Sequence, residues 1–221
     1  METKQLPDFI NDLLAPEQHG RQVEEISLVQ THISYVILAG EYVYKFKKPV
    51  NFGFLDFSTI DKRDYYCGQE LILNRRLCPD IYLETVTVNK QEEGHRINGE
   101  GEVVEHGIKM VRLDETAMMG HVIREGRLVK DHIDAIIDVL VPFYESAEGG
   151  EDIRTFGGAD SVGINVIENF EQTEEFIGQG ALTRKQFDLI SDHARSVLAD
   201  SRLFQDRIES GKIRDCHGDL Y

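Results

Sequence analysis

Three side chains in the sequence could act together on a ligand: the ammonium of Lys45 and the carboxylates of Glu70 and Asp219. Lys45 lies in Tyr42-Val-Tyr-Lys-Phe-Lys47, which reads as a strand, so Val43, Lys45 and Lys47 share one face and Tyr42, Tyr44 and Phe46 take the other. Glu70 falls with Tyr66, Leu73 and Leu77 at i, i+4, i+7 and i+11, on the helical stripe expected to pack inward. A carboxylate turned toward a core is costly unless it is paired, so this helix is expected to deliver Glu70 to a cation. Lys45 is the preferred partner, because Val43 beside it offers an apolar contact for a flat ring. Lys47, on the same face, is its rival. Asp219 ends His217-Gly218-Asp219, after an expected strand end at Ile213–Cys216. A carboxylate on such a tight loop can orient a hydroxyl nucleophile and accept its proton. Plainer readings stay open: solvated charges for Lys45 and Glu70, and a turn with a helix cap at Gly218-Asp219.

The surrounding pattern supplies elements to hold these groups. Strands are expected at Ile26–Gln30, Tyr35–Leu38 and Tyr42–Lys47, separated by Thr31-His32 and by the turn Ala39-Gly40-Glu41. An aromatic, Gly-containing loop, Pro49–Phe57, leads to Ser58, the expected cap of a helix reaching about Leu77 before Cys78-Pro79. Two more strands are expected at Ile81–Val88 and Val103–Val111, joined by a polar hairpin over Asn89–Gly101. Beyond Arg112 the periodicity turns helical. Ile133, Ile136, Ile137, Leu140, Phe143, Tyr144 and Ala147 form one stripe, kinked at Pro142, and Phe187, Ile190, Ala194 and Val197 form another within Thr183–Leu198. Asn165–Ile177 is a weaker helical segment, and Gly149–Gly163 reads as loop. The expected fold class is α+β: a five-stranded antiparallel sheet with one helix, then a partial helical lobe.

Composition narrows the classes of function. The 221 residues carry 24 Lys and Arg against 40 Asp and Glu, a formal charge of −16, which argues against nucleic acid and anionic lipid as partners. No run approaches a membrane span, and the N-terminus lacks the basic and apolar regions of an export signal, so a cytoplasmic protein is expected. Cys67, Cys78 and Cys216 are far apart and the eight histidines are scattered, without the spacing of a metal site or disulfide framework.

The ordered set Val43-Tyr44-Lys45, Glu70 with Leu73 and Leu77, Lys109–Leu113, and His217-Gly218-Asp219-Leu220 resembles the aminoglycoside phosphotransferase family of protein-kinase-like enzymes. Val43–Phe57 with Asn74-Arg-Arg-Leu77 is similar to an uncharacterised bacterial branch of that family, often joined to a P-loop ATP-binding domain. The resemblance implies a two-lobe fold: a nucleotide-binding lobe at 1–109, a hinge at 110–116, and a helical lobe at 117–221 that ends in the catalytic loop. It further implies that Lys45 contacts the α/β-phosphates of ATP or GTP, that Glu70 orients Lys45, and that Asp219 is the catalytic base toward a hydroxyl of a small-molecule alcohol. Val43 would touch the nucleobase, backbone groups around Met110–Arg112 would hydrogen-bond the purine, and Ser34 or nearby N–H groups would stand in for the phosphate-covering loop.

Two departures follow from the resemblance. The family's Mg²⁺ ligands fall beyond Tyr221, and position 221 is commonly His in the family, where Tyr stands here. The chain is therefore expected to be a fragment of a phosphotransferase, poorly active alone and prone to self-association through uncovered apolar surface. The competing expectation is a catalytically inactive kinase-like module that binds nucleotide or a partner. A plain α+β domain without a ligand is the third.

Overall fold

The structure is a computed structural model in which residues 5–19, 23 and 25–220 are described. Tyr221 and Met1–Lys4, on which part of the sequence reading fell, lie outside the described residues. The chain divides into two compact units, residues 1–136 and 137–221, so the division falls inside a helix downstream of the expected 110–116 connection.

The first unit is built on an antiparallel sheet of β1 (Ile26–Gln30), β2 (Ser34–Ala39), β3 (Tyr42–Lys47), β4 (Tyr82–Lys90), β5 (His95–Ile97) and β6 (Glu102–Val111), in the order β1-β2-β3-β6-β4-β5. The sheet has six strands rather than five, because the hairpin read as irregular contains β5, paired to β4 from Val88↔Ile97 to Lys90↔His95. Lys45 stands opposite Val36 on β2 and Ile108 on β6, and Val43 stands opposite Leu38 and Met110. Opposed residues share a face, so Ser34, Val36, Leu38, Val43, Lys45, Lys47, Ile108 and Met110 lie on one side of these three strands.

The other side is the main apolar core. Tyr44, Phe46, Ile37 and Ala39 from the sheet pack with Ile10 and Leu13 of α1 (Asp8–Leu13), and Phe9 meets Phe46 edge to face at 5.7 Å. The sequence reading did not include α1, although Leu6, Phe9, Ile10 and Leu13 carry the i, i+3, i+4, i+7 spacing that marks an apolar helix face. Its burial against β3 leaves the Lys45 side as the face that carries α2 (Ile60–Arg75).

Helix α2 is capped by Thr59, whose hydroxyl accepts from the Lys62 N–H, and not by the expected Ser58. The Ser58 hydroxyl is instead donated to Asp56 Oδ1 at 2.6 Å. Asp56 also pairs with Lys62, and these hydrogen bonds hold its carboxyl down at about 2. The loop before the helix is thus closed by side chains that belong to the helix start. The unit continues through α3 (Met119–Arg124) and the first turns of α4 (Lys130–Ser146), in which Pro142 is accommodated inside the helix.

The second unit holds the rest of α4, then α5 (Glu151–Arg154), α6 (Ala159–Glu174), α7 (Arg184–Ala199) and α8 (Ser201–Glu209). Residues 149–163, expected to be loop, contain α5, a 3₁₀ turn at Thr155–Gly157 and the start of α6. Thr183 and Gln186 form a reciprocal capping box at the start of α7, and Phe187 packs edge to face on Phe170 of α6 at 5.7 Å. The stripe expected to face a core divides: Ile133, Ile136, Ile137 and Tyr144 are exposed, Leu140 and Phe143 are half-buried, and Ala147, just past the end of α4, is buried. Ile213–Cys216 form no strand. They run as an irregular segment fastened to the chain after α4, by Asp215 N–H donating to Glu148 O at 2.8 Å and Arg214 Nη1 to Ala147 O at 3.0 Å.

Candidate functional site

The strand alternation that turns Tyr44 and Phe46 into the core sends Lys45 and Lys47 to the opposite face, where α2 lies. Glu70 meets both lysines there. Lys45 Nζ donates to Glu70 Oε1 at 2.8 Å and Lys47 Nζ to Glu70 Oε2 at 2.6 Å. The two lysines are therefore partners in one cluster, where the sequence presented them as alternatives. Their surroundings differ: the Lys47 side chain is 6% exposed, that of Glu70 16%, and that of Lys45 29%. Lys47 Nζ also sits 4.7 Å from the centroid of the Phe57 ring. Burial alone would push the Glu70 carboxyl up, but the charges and hydrogen bonds of Lys45 and Lys47 outweigh it and hold that carboxyl below its ordinary value.

A second, buried ion pair holds α2 in register with β6. Arg63 Nε donates to Glu105 Oε1 at 2.8 Å and Oε2 at 2.9 Å, and its Nη1 to Phe57 O at 2.9 Å. The side chains are 10% and 5% exposed, and the His106 N–H adds a bond to Glu105 Oε1 at 3.0 Å. Sequence reasoning missed this pair, because an isolated Arg or Glu is expected in solvent. The inward stripe of α2 is in fact Arg63, Cys67 and Glu70, with Tyr66 exposed. Cys67 is fully buried, which pushes its thiol up to about 12 and keeps it neutral. Asn74 Nδ2 donates to Glu70 O at 2.8 Å and Arg75 Nε to Tyr82 O at 2.7 Å, fixing the last turns of the helix to its own backbone and to β4.

The remaining expected site residues divide into three groups. Val43, expected to touch a nucleobase, and Met110, expected to contribute backbone groups, are direct partners across β3 and β6 on the Lys45 face. Ser34 does not present its hydroxyl to a ligand: it is 1% exposed at the start of β2, and its Oγ has no hydrogen-bond partner among the described residues. The turn before it is closed, with Ile33 N–H and Ser34 N–H donating to Thr31 Oγ1 and Lys48 Nζ donating to Thr31 O. At the expected purine-binding backbone, the Arg112 N–H donates to Glu41 O at 2.8 Å and that of Val111 to Ile81 O at 2.9 Å. Asp219 belongs to the second unit, exposed on the segment after Gly218, whose φ of +80° makes the turn that glycine tolerates best.

Among the described residues no group of three or more His, Cys, Asp and Glu could hold a metal ion. No described helix is long and apolar enough to cross a membrane.

No family model matches the chain, and no solved structure matches it. It is similar to curated proteins of Mycobacterium tuberculosis and Mycobacterium bovis that bear the name uncharacterized protein, at 29% identity over 198 residues. The match covers 88% of this chain and 38% of each relative, so the chain spans about two fifths of the length of the proteins it resembles.

Proposed function

We propose that this chain carries the nucleotide-phosphate-binding lobe of a protein-kinase-like phosphotransferase that moves the terminal phosphate of ATP or GTP to a hydroxyl of a small molecule. The observation that carries the reading is the 2.8 Å contact between Lys45 on β3 and Glu70 on α2, a long helix packed on that face of the sheet. An ammonium oriented by a carboxylate from a separate element is a means of holding a polyphosphate, and transfer needs little more from the protein than positioning and charge. In this reading the phosphates meet Lys45, the more exposed of the two lysines, and a base lies flat against Val43 and Met110. Asp219 accepts the proton of the acceptor hydroxyl. The antiparallel sheet with one long helix on the ligand face is the arrangement that such a lobe requires.

A second reading is favoured by a different observation. The closed turn at Thr31–Ser34 and the engaged N–H groups of Val111 and Arg112 leave fewer donors for phosphate and purine than an active kinase uses. They fit a kinase-like module that binds a nucleotide or a partner without transferring phosphate.

Thermal-shift titration with ATP, with and without Mg²⁺, tests both. The phosphotransferase reading expects stabilisation that Lys45→Met abolishes while the fold, seen by circular dichroism, is kept. Stabilisation indifferent to Lys45 and to Mg²⁺ supports the binding module. No shift with ATP or GTP removes the nucleotide from the account.

A further inference from the structure

Lys47 is the least accessible member of the cluster, yet it makes its shortest contact, 2.6 Å to Glu70 Oε2. Enclosed against Phe57, it is poorly placed to reach a ligand itself. Glu70 divides its two oxygens between the two lysines, Oε1 to Lys45 and Oε2 to Lys47. From this geometry we infer that Lys47 is a positioning residue: it pins Glu70 through Oε2, so that Oε1 is held where it orients Lys45 toward an anionic ligand. The inference rests on the phosphate-binding reading above and adds to it the residue that fixes the Lys45–Glu70 pair before the ligand arrives.

The physical reason is preorganisation. A carboxylate bonded at one oxygen still rotates about its terminal torsion, whereas one bonded at both oxygens from a single strand has one orientation. Residues two apart on a strand present their side chains side by side, so Lys45 and Lys47 reach Glu70 without distorting β3. Lys47 also supplies Glu70 with a second countercharge beside that of Lys45. Nearby, Arg63 is paired with Glu105, and His106 Nδ1 lies 3.0 Å from Asp64 Oδ1. Cys67, which lies between Arg63 and Glu70 on the buried face of α2, is a neutral thiol and supplies no countercharge.

The test uses the 221-residue chain and two readouts. The first is the titration of the Glu70 side-chain carboxyl by ¹³C NMR without ligand, in the parent, Lys47→Met and Lys47→Arg. Losing an opposite charge at hydrogen-bond distance raises the midpoint by about one unit or more, and arginine restores it. The second is ATP affinity by calorimetry, expected to fall about tenfold or more in Lys47→Met, the scale on which supporting partners act, and to recover in Lys47→Arg. In a Glu70→Gln background, Lys47→Met should cost no further affinity, because the group that it pins is gone. An unmoved Glu70 midpoint in Lys47→Met, or parental ATP affinity in Lys47→Met while Lys45→Met loses it, overturns the inference and leaves the nucleotide reading standing. A moved midpoint in a chain that binds no ATP upholds the pinning and removes the nucleotide.

Discussion

Replacing Arg63 by Met should be among the most damaging single changes to the first unit. The substitution keeps most of the apolar stem and removes the guanidinium. Glu105, 5% exposed, would lose both bonds from Arg63 Nε and keep the His106 N–H, while Phe57 O loses the Nη1 donor. Stranding one partner of a buried pair costs about 3–5 kcal/mol, more than the pair itself is worth relative to apolar residues of the same size. With a urea slope of about 2 kcal/mol/M for a small unit, the midpoint should fall by about 2 M. Amide exchange at Phe46 and Ile108 during urea titration reports on the sheet alone, so the second unit does not blur the result. Arg63→Met with Glu105→Leu should recover most of the loss, since neither charge is then left buried. If Arg63→Met lowers sheet stability by less than about 1 kcal/mol, or if the double variant is as unstable as the single one, the pair does not lock α2 to β6 as described.

Three further outcomes follow from the same contacts. Gly107→Ala would place a Cβ 2.5 Å from Phe46 Cε1 and 3.0 Å from Lys45 O, so it should destabilise the sheet by about 1–3 kcal/mol, the usual cost of overpacking, and shift the Lys45 amide resonance. Thr183→Ala removes half of the capping box and should cost the second unit about 1 kcal/mol, read from amide exchange in α7. Glu70 has a carboxyl held below its ordinary 4.5, so its contribution to stability is full above that value and is lost as pH falls through the lower folded value. The acid limb of a stability–pH curve should accordingly be flatter in Glu70→Gln than in the parent, and parallel limbs would contradict the pairing.

The sheet and the central pair were legible because both rest on periodicity. Alternation in Tyr42–Lys47 separates Tyr44 and Phe46 from Lys45 and Lys47, and the register across β2 and β6 follows that separation. Glu70 was located by the argument that an inward carboxylate needs a cation, although the stripe used to find it included the exposed Tyr66 and omitted Arg63 and Cys67. Pairing of Arg63 with Glu105 depends on a contact 42 residues apart between two groups that are ordinarily solvated, and nothing local to either announces it. The sequence left Lys45 and Lys47 as alternatives because alternation states a face and not a reach. Ser34 is expected from the resemblance in the position of the phosphate-covering loop, whereas it opens β2 paired with Lys47 and is buried. The glycines at 149–163 were weighed as loop formers, yet α6 begins at Ala159 and runs through Gly163, where Leu198 of α7 packs at 3.7 Å from an added Cβ.

The central claim is that Lys45, oriented by Glu70, meets the phosphates of a nucleotide. An ATP acyl-phosphate reagent, which acylates a lysine lying beside bound phosphates, followed by peptide mass spectrometry, tests it directly. The account predicts that Lys45 is the principal labelled lysine, that excess ATP protects it and that Glu70→Gln reduces the labelling. Labelling spread evenly over surface lysines, indifferent to ATP, would contradict it.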